Sequence, residues 1–181
     1  MKIIKGKKIL LRPREMKDVS YIVKWYGNKD LMMYYGHEKY RVTEEQEKKH
    51  VLGLKKKDCE EESFMIVTDD DRVIGTIGFD KNECNRYVGL YIMIGDKKFQ
   101  DKGYARMAIN LMLEYIFKEK TFFRVELNVS EPYKKALHLY ESIGFKKEGV
   151  RRKAGWNKIA KNYENVVVMG MLKDEWLKNK N

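Results

Sequence analysis

The sequence predicts an α/β fold: one mixed, mostly antiparallel sheet of about seven strands, flanked by about four helices. Three features carry that prediction. Apolar runs on either side of Asp69-Asp70-Asp71-Arg72 read as a hairpin around a polar turn. The almost wholly apolar run from Tyr87 to Ile94 reads as a buried central strand. A glycine-bearing loop follows it, then apolar side chains at Tyr104, Met107, Ala108, Leu111, Met112, Tyr115 and Ile116, the stripe of a one-faced helix.

The elements follow in order. Residues 8–13 read as a first strand and residues 16–26 as a helix with Val19, Ile22, Val23 and Tyr26 on one face, ended by Gly27-Asn28. Residues 30–40 carry Met32, Met33, Tyr34, Tyr35, His37 and Tyr40, a soft and aromatic set without a clear period. Thr43-Glu44-Glu45-Gln46 is a capping box opening a helix toward Lys57. Strands at 63–68 and 73–79, a loop at 81–86 and the strand to Ile94 come next, then the helix to about Glu119. Residues 123–129 alternate as a strand, and Pro132 suits the first turn of a helix. That helix turns Ala136, Leu139, Tyr140 and Ile143 inward and stops at Gly144. Strands at 145–150 and 163–172 close the fold, joined by a basic loop at 151–162. Residues 173–181 read as a short tail, frayed beyond Trp176.

The chain has 181 residues, two prolines and no Pro/Gly/Ser-rich linker, so residues 1–181 are expected to form a single domain. No apolar run approaches the ~20 residues of a membrane span, and the basic start lacks the apolar core of a signal peptide. Cys59 and Cys84 are isolated and fit a reduced, cytoplasmic protein. His37, His50 and His138 have no ligand spacing, so no metal is expected. A net charge of +11 raises nucleic-acid binding as a reading. The lysines are spread along the whole chain, which favours a solvated surface with one pocket for a small polyanion over a nucleic-acid partner.

That pocket has a candidate address. Gln100-Asp101-Lys102-Gly103-Tyr104-Ala105 lies between the central strand and the amphipathic helix. Strand, glycine loop and helix start aim free backbone N–H groups at one point, where the helix dipole adds positive potential. Gly103 lets the main chain approach a phosphate without a Cβ in the way. A phosphorylated ligand is the expected guest.

With the loop, the segment Ala136-Leu-His-Leu-Tyr-Glu-Ser-Ile-Gly-Phe145 and the closing Val167-Val-Met-Gly-Met-Leu-Lys-Asp-Glu-Trp176, the chain resembles the GNAT superfamily of N-acetyltransferases. The likeness runs to the branch of ribosomal-protein alanine and spermidine acetyltransferases. It implies the GNAT fold, acetyl-CoA as cosubstrate and a primary amine as acceptor, either a peptide or protein N-terminus or a small-molecule amine. Ile92, Met93 and Ile94 then take the pantetheine arm on a free strand edge, as an added strand would. Gln100, Asp101, Lys102, Gly103, Tyr104 and Ala105 take the diphosphate, and Asn128 and Tyr133 stand beside the cofactor arm.

The resemblance also makes Tyr140 the general acid. Amine attack on a thioester expels a thiolate, and a phenol of pKa near ~10 is protonated at neutral pH and can donate to it. Without the resemblance, the pattern favours a core tyrosine on the inward stripe; Glu141 and Gly144-Phe145, following in the family's register, turn the reading toward catalysis. The acceptor ammonium, pKa near ~10.4, is neutral in only about one molecule in a few thousand at pH 7, so a carboxylate is wanted nearby. Glu38, next to the Tyr34-Tyr35 pair, and Glu83, in the loop before the central strand, are the candidates, each also readable as a solvated surface glutamate. Tyr34, Tyr35 and Glu83 are expected to meet the acceptor.

The chain departs from the family pattern in three places. Tyr133 stands where an Asn is common. The acidic residue near the start of the central strand is missing at Tyr87 and Val88. The hairpin motif near the end survives only as Lys161-Asn162-Tyr163-Glu164-Asn165. The charge leans against a polycationic acceptor and toward a peptide amine or a small amine of modest charge. Two other readings stay open, a catalytically weak CoA-sensing domain and a basic nucleic-acid-binding module. A homodimer is compatible with the sequence.

Overall fold

In the computed structural model, residues 2–35 and 41–179 are described. Strands β1 (Ile4–Lys5), β2 (Ile9–Pro13), β3 (Glu61–Thr68), β4 (Val73–Asn82), β5 (Tyr87–Ile94), β6 (Arg124–Ser130), β7 (Lys146–Asn157) and β8 (Asn162–Leu172) form one sheet in the order β1-β2-β3-β4-β5-β6-β8-β7. Every neighbouring pair is antiparallel except β5 with β6. The class is the one the sequence predicts, with β1 as an additional short edge.

Helices cover both faces. On one lie α4 (Tyr104–Glu114), continued by a π-turn over Tyr115–Glu119, and α5 (Lys134–Ile143). Ala108, Ile109 and Met112 of α4 and Tyr140 of α5 share a core with Val88, Leu90 and Ile92 of β5. On the other face, α1 (Val19–Tyr26) and α2 (Lys29–Tyr35) enclose a second core of Ile22, Trp25, Leu31, Met32, Met65, Val67 and Met93. The alternation along β5 sends even-numbered side chains to the α4 face and Met93 to the α1–α2 face. α3 (Glu44–Gly53) packs on α1. Its capping box forms as the sequence predicts: Gln46 N–H donates to Thr43 Oγ1 at 3.2 Å, and Thr43 N–H to Gln46 Oε1 at 2.9 Å.

Several sequence expectations are corrected. The basic stretch 151–162 is not a loop: β7 runs on to Asn157, pairing Gly155 with Glu164 and Trp156 with Tyr163. An edge strand is stabilised by its ladder and tolerates charge on its exposed side, so its composition hides it. Asn157 makes the turn, its Oδ1 accepting from the N–H groups of Ile159 and Ala160. The tail is a helix, α6 (Lys173–Lys178), which buries Trp176 against Phe117 with ring centroids 5.3 Å apart. Pro132 precedes α5 instead of sitting in its first turn, with Tyr133 at the cap. The aperiodic segment after Gly27 is helical as α2 through Tyr35, and α3 stops at Gly53, short of Lys57.

Candidate active site

The cleft is a fork in the sheet. β5 and β6 pair at Tyr87–Arg124, Val88–Val125 and Gly89–Glu126, and there the pairing stops. Beyond it β5 continues on β4 alone and β6 on β8 alone. The ladder shows which groups face the gap. Gly95 N–H donates to Ile74 O, so Gly95, Met93, Tyr91 and Gly89 turn their main-chain polar groups to β4. Leu90, Ile92 and Ile94 turn theirs to the gap, as does Arg86, whose carbonyl accepts from Phe123 N–H on the β6 side. Leu90 to Ile94 spans roughly 13 Å of open edge at about 3.3 Å per residue. Of the expected trio, Ile92 turns both main-chain groups to the gap and Ile94 its N–H, the Ile94 carbonyl being taken by Gln100, while those of Met93 go to Thr76.

At the wide end of the fork lies the glycine loop. Gly103 caps α4 with φ +84°, and Asp101 also has positive φ at 56°. The first main-chain bond of the helix runs from Met107 N–H to Gly103 O, so the amides of Tyr104, Ala105 and Arg106 precede the ladder. A Cβ on Gly103 would meet no atom within 4 Å. The backbone there borders open space, as close approach of a diphosphate requires. Gln100 acts on the loop itself, since its Nε2 donates to Ile94 O at 2.8 Å and binds the loop back onto β5. Asp101 is paired with Lys135 of α5 at 2.8 Å, and Lys102 is exposed.

The β6 side of the gap is lined by side chains. α5 touches both α4 and β7 and so lies beneath β6 and β8. Gly144 ends it with φ +112°, a conformation that favours glycine, and returns Phe145 edge-on to the Tyr140 ring, centroids 5.7 Å apart. Tyr140 is 9% exposed. Burial, then the neighbouring Tyr133, pushes its pKa up, which keeps the phenol protonated. On the opposite face, Asn128 is exposed and its Oδ1 accepts from Arg151 Nη2 at 2.7 Å.

Behind β5 stands a buried polar strut. The Tyr91 hydroxyl donates to Glu61, and His50 Nε2 donates to the other oxygen of Glu61 at 2.7 Å. Arg14, 5% exposed, reaches Glu47 at 3.0 Å, His50 Nδ1 at 3.2 Å and Thr76 Oγ1 at 2.8 Å. Hydrogen bonds to Glu47 first and Glu61 second push His50 up to about 9, against burial and, less, Arg14. The strut ties α3 through β3 to the strand whose far edge is open.

The remaining sequence candidates fall elsewhere. Glu83 is exposed in the β4–β5 turn, with the paired part of β5 and β6 between it and the gap, so it is not brought together with Tyr140. Glu38 lies outside the described residues. Tyr34 and Tyr35 end α2. Sequence reasoning missed Arg124 and Glu126, which share the outer face of β6 with Asn128. The polar members of Arg124-Val125-Glu126-Leu127-Asn128 were the available signal, since polar residues at every second position mark an open sheet face. Among the described residues, no group of three His, Cys, Asp or Glu side chains is placed to hold a metal, and no helix is long and apolar enough to cross a membrane.

Known proteins are similar to this chain in sequence and fold. The family model described as "Acetyltransferase (GNAT) domain" matches residues 8–146. Spermidine N(1)-acetyltransferase of Vibrio cholerae is 31% identical over 145 residues, covering 78% of this chain and 80% of that protein. The enzyme of the same name from Escherichia coli K12 is 28% identical over 144 residues, covering 78% and 74%. The crystal structure of the Vibrio cholerae spermidine N-acetyltransferase with CoA and spermine superposes with a TM-score of 0.87 at 26% identity, covering 95% of this chain and 99% of that one. With the fork, the glycine loop and this family match together, the chain belongs to the GNAT acetyltransferases, enzymes that move an acetyl group from acetyl-CoA to an amine.

Proposed function

We propose that the chain acetylates a primary amine of a small polyamine of the spermidine class, with Tyr140 as general acid. The observation that carries the acceptor class is a row of carboxylates on the α1–α2 face of the sheet. Glu61 pairs with Asp80, Asp80 with Gly89 and Gly89 with Glu126, so Glu61, Asp80 and Glu126 share one face around the closed end of the fork. Glu61 is held by His50 and Tyr91 and Glu126 by Arg124, so the row offers an acceptor ammonium carboxylate oxygens to bond more than a bare negative field, and the distant positive charges of a protein of +11 are screened beyond about 10 Å at 0.1 M salt. The relatives named as spermidine acetyltransferases support the same class. This moves the acceptor away from the peptide or modestly charged amine that net charge alone favoured.

The chemistry follows from the two walls. The amides opening α4 hold the diphosphate of acetyl-CoA, and the free edge of β5 pairs with its amide arm. Ile92 N–H points into the gap and is placed to polarise the thioester carbonyl. The amine attacks the carbonyl carbon, the C–S bond breaks, and Tyr140 gives its proton to the departing sulfur. Much of the rate comes from holding both reactants in one geometry.

A thiol-release assay over spermidine, spermine, peptides with free N-termini and amino sugars tests the reading, with Tyr140→Phe beside the wild type. Turnover should be highest on the polyamines. Preference for the peptides would overturn the acceptor class. Equal turnover by the two proteins would remove Tyr140 from the mechanism.

A further inference from the structure

Glu126 occupies the last paired position before the strands part, opposite Gly89 on β5 and Gly170 on β8. These two glycines differ. A Cβ at Gly170 would strike Glu148 Oε1 at 2.4 Å and Arg124 Nη1 at 2.7 Å, because the Arg124–Glu148 pair lies across it. A Cβ at Gly89 would meet nothing within 4 Å. Glu126 is thus walled on the β8 side and open on the side of the gap. Its side chain is 29% exposed, on the α1–α2 face, opposite the face that carries Tyr140.

Its partners leave it available. Arg124 Nη2 and Nε reach Glu126 Oε2 at 3.2 and 3.4 Å, while both terminal nitrogens of Arg124 are engaged more tightly by Glu148. Arg124 is shared between the two carboxylates and touches only Oε2 of Glu126, so it orients Glu126 while Oε1 stays outside the pair. The other charged groups around it are Asp80, across Gly89, and Lys146, which stands beyond Gly170 and is turned to Glu175 at 2.6 Å. Tyr91, next on the same face of β5, gives its hydroxyl to Glu61.

We propose that Glu126 is the general base that deprotonates the acceptor ammonium above Gly89. This deepens the acetyltransferase reading and rests on it. The carboxylate takes one proton from R–NH3+. The neutral amine forms the C–N bond as the C–S bond breaks, Tyr140 protonates the sulfur, and the second N–H proton returns to the Tyr140 oxygen. Products are R–NH–CO–CH3 and CoA–SH, and Glu126 releases its proton to water. The role of base, for which the sequence offered Glu38 or Glu83, falls to a residue on the strand facing the coenzyme edge.

The test is Glu126→Gln, assayed with spermidine and with an arylamine, which is already neutral at pH 7. On spermidine, kcat/KM at pH 7 should fall about 10²-fold, the usual scale of general-base catalysis. The deficit should shrink as pH rises toward the free amine pKa of ~10.4, where no base is needed. On the arylamine the two proteins should differ by less than about threefold, and acetyl-CoA affinity by calorimetry should be equal. A loss that is the same on both amines, or constant with pH, would overturn the proposal and mark Glu126 as structural. Unchanged spermidine turnover would overturn it too. A wild type that binds acetyl-CoA yet acetylates neither amine would instead bring down the acetyltransferase reading beneath it.

Discussion

The β5 wall of the cleft presents main chain to the gap, and the β6 wall presents side chains. On β5, Leu90, Ile92 and Ile94 bury their side chains in the α4 core and turn only their peptide groups outward. On β6 and the α5 that follows, the side chains of Glu126 and Asn128 on one face and Tyr140 on the other stand by the gap, and the proposed reaction steps fall to Glu126 and Tyr140. Substitutions on the first wall should therefore act through backbone shape or strand support. Those on the second should act on reaction steps with little change in coenzyme affinity. The difference is physical: a peptide group cannot be deleted by mutation, only displaced.

The largest effect is expected behind the first wall. Arg14→Ala leaves Glu47 buried without its partner and unties Thr76 on β4, and losing one member of a buried pair costs about 3–5 kcal/mol. Urea unfolding should show a lower midpoint at unchanged slope. A shift under about 1 kcal/mol would mean that the strut does not support β5. On the second wall, Tyr140→Phe removes one oxygen and should lower kcat about 10²-fold while calorimetry with acetyl-CoA stays the same. A matching loss of affinity would erase the division between the walls.

Smaller effects sharpen the contrast. Gly103→Val forces a branched side chain to φ +84° and costs about 1–2 kcal/mol, although its Cβ meets no protein atom. The melting temperature should fall by a few degrees and the acetyl-CoA Kd should rise about tenfold, with kcat at saturation nearly unchanged. The smallest effect comes from pH. His50 is raised from 6.5 to about 9, so its stabilisation is complete below about 6.5 and lost as pH climbs through 9. Thermal melts of the wild type and His50→Gln from pH 6 to pH 10 should converge across that interval. Parallel curves would mean that His50 does not titrate against Glu47 and Glu61 there.

The first wall was the legible one. A continuous apolar run, a loop glycine and a three-four stripe specify strand, turn and helix by local physics, and each formed where the sequence placed it. The β7–β8 hairpin was not legible past Val150. Arg151, Arg152 and Lys153 carry no burial signal, and only pairing with β8 makes that stretch a strand. The α6 tail was missed for a related reason: Trp176 finds its partner, Phe117, far away in the chain.

The sequence by itself determined the α/β class, the central strand, the glycine loop and the tyrosine on the inward stripe of α5, because these depend on periodicity and on neighbours a few residues apart. Only the tertiary structure decided that β5 and β6 part after Gly89, that Ile92 and not Met93 offers its amide, and that Glu126 faces open space while Arg124 is held by Glu148. Those facts arise from ladder register and cross-strand contact between segments far apart in sequence, which no local pattern encodes.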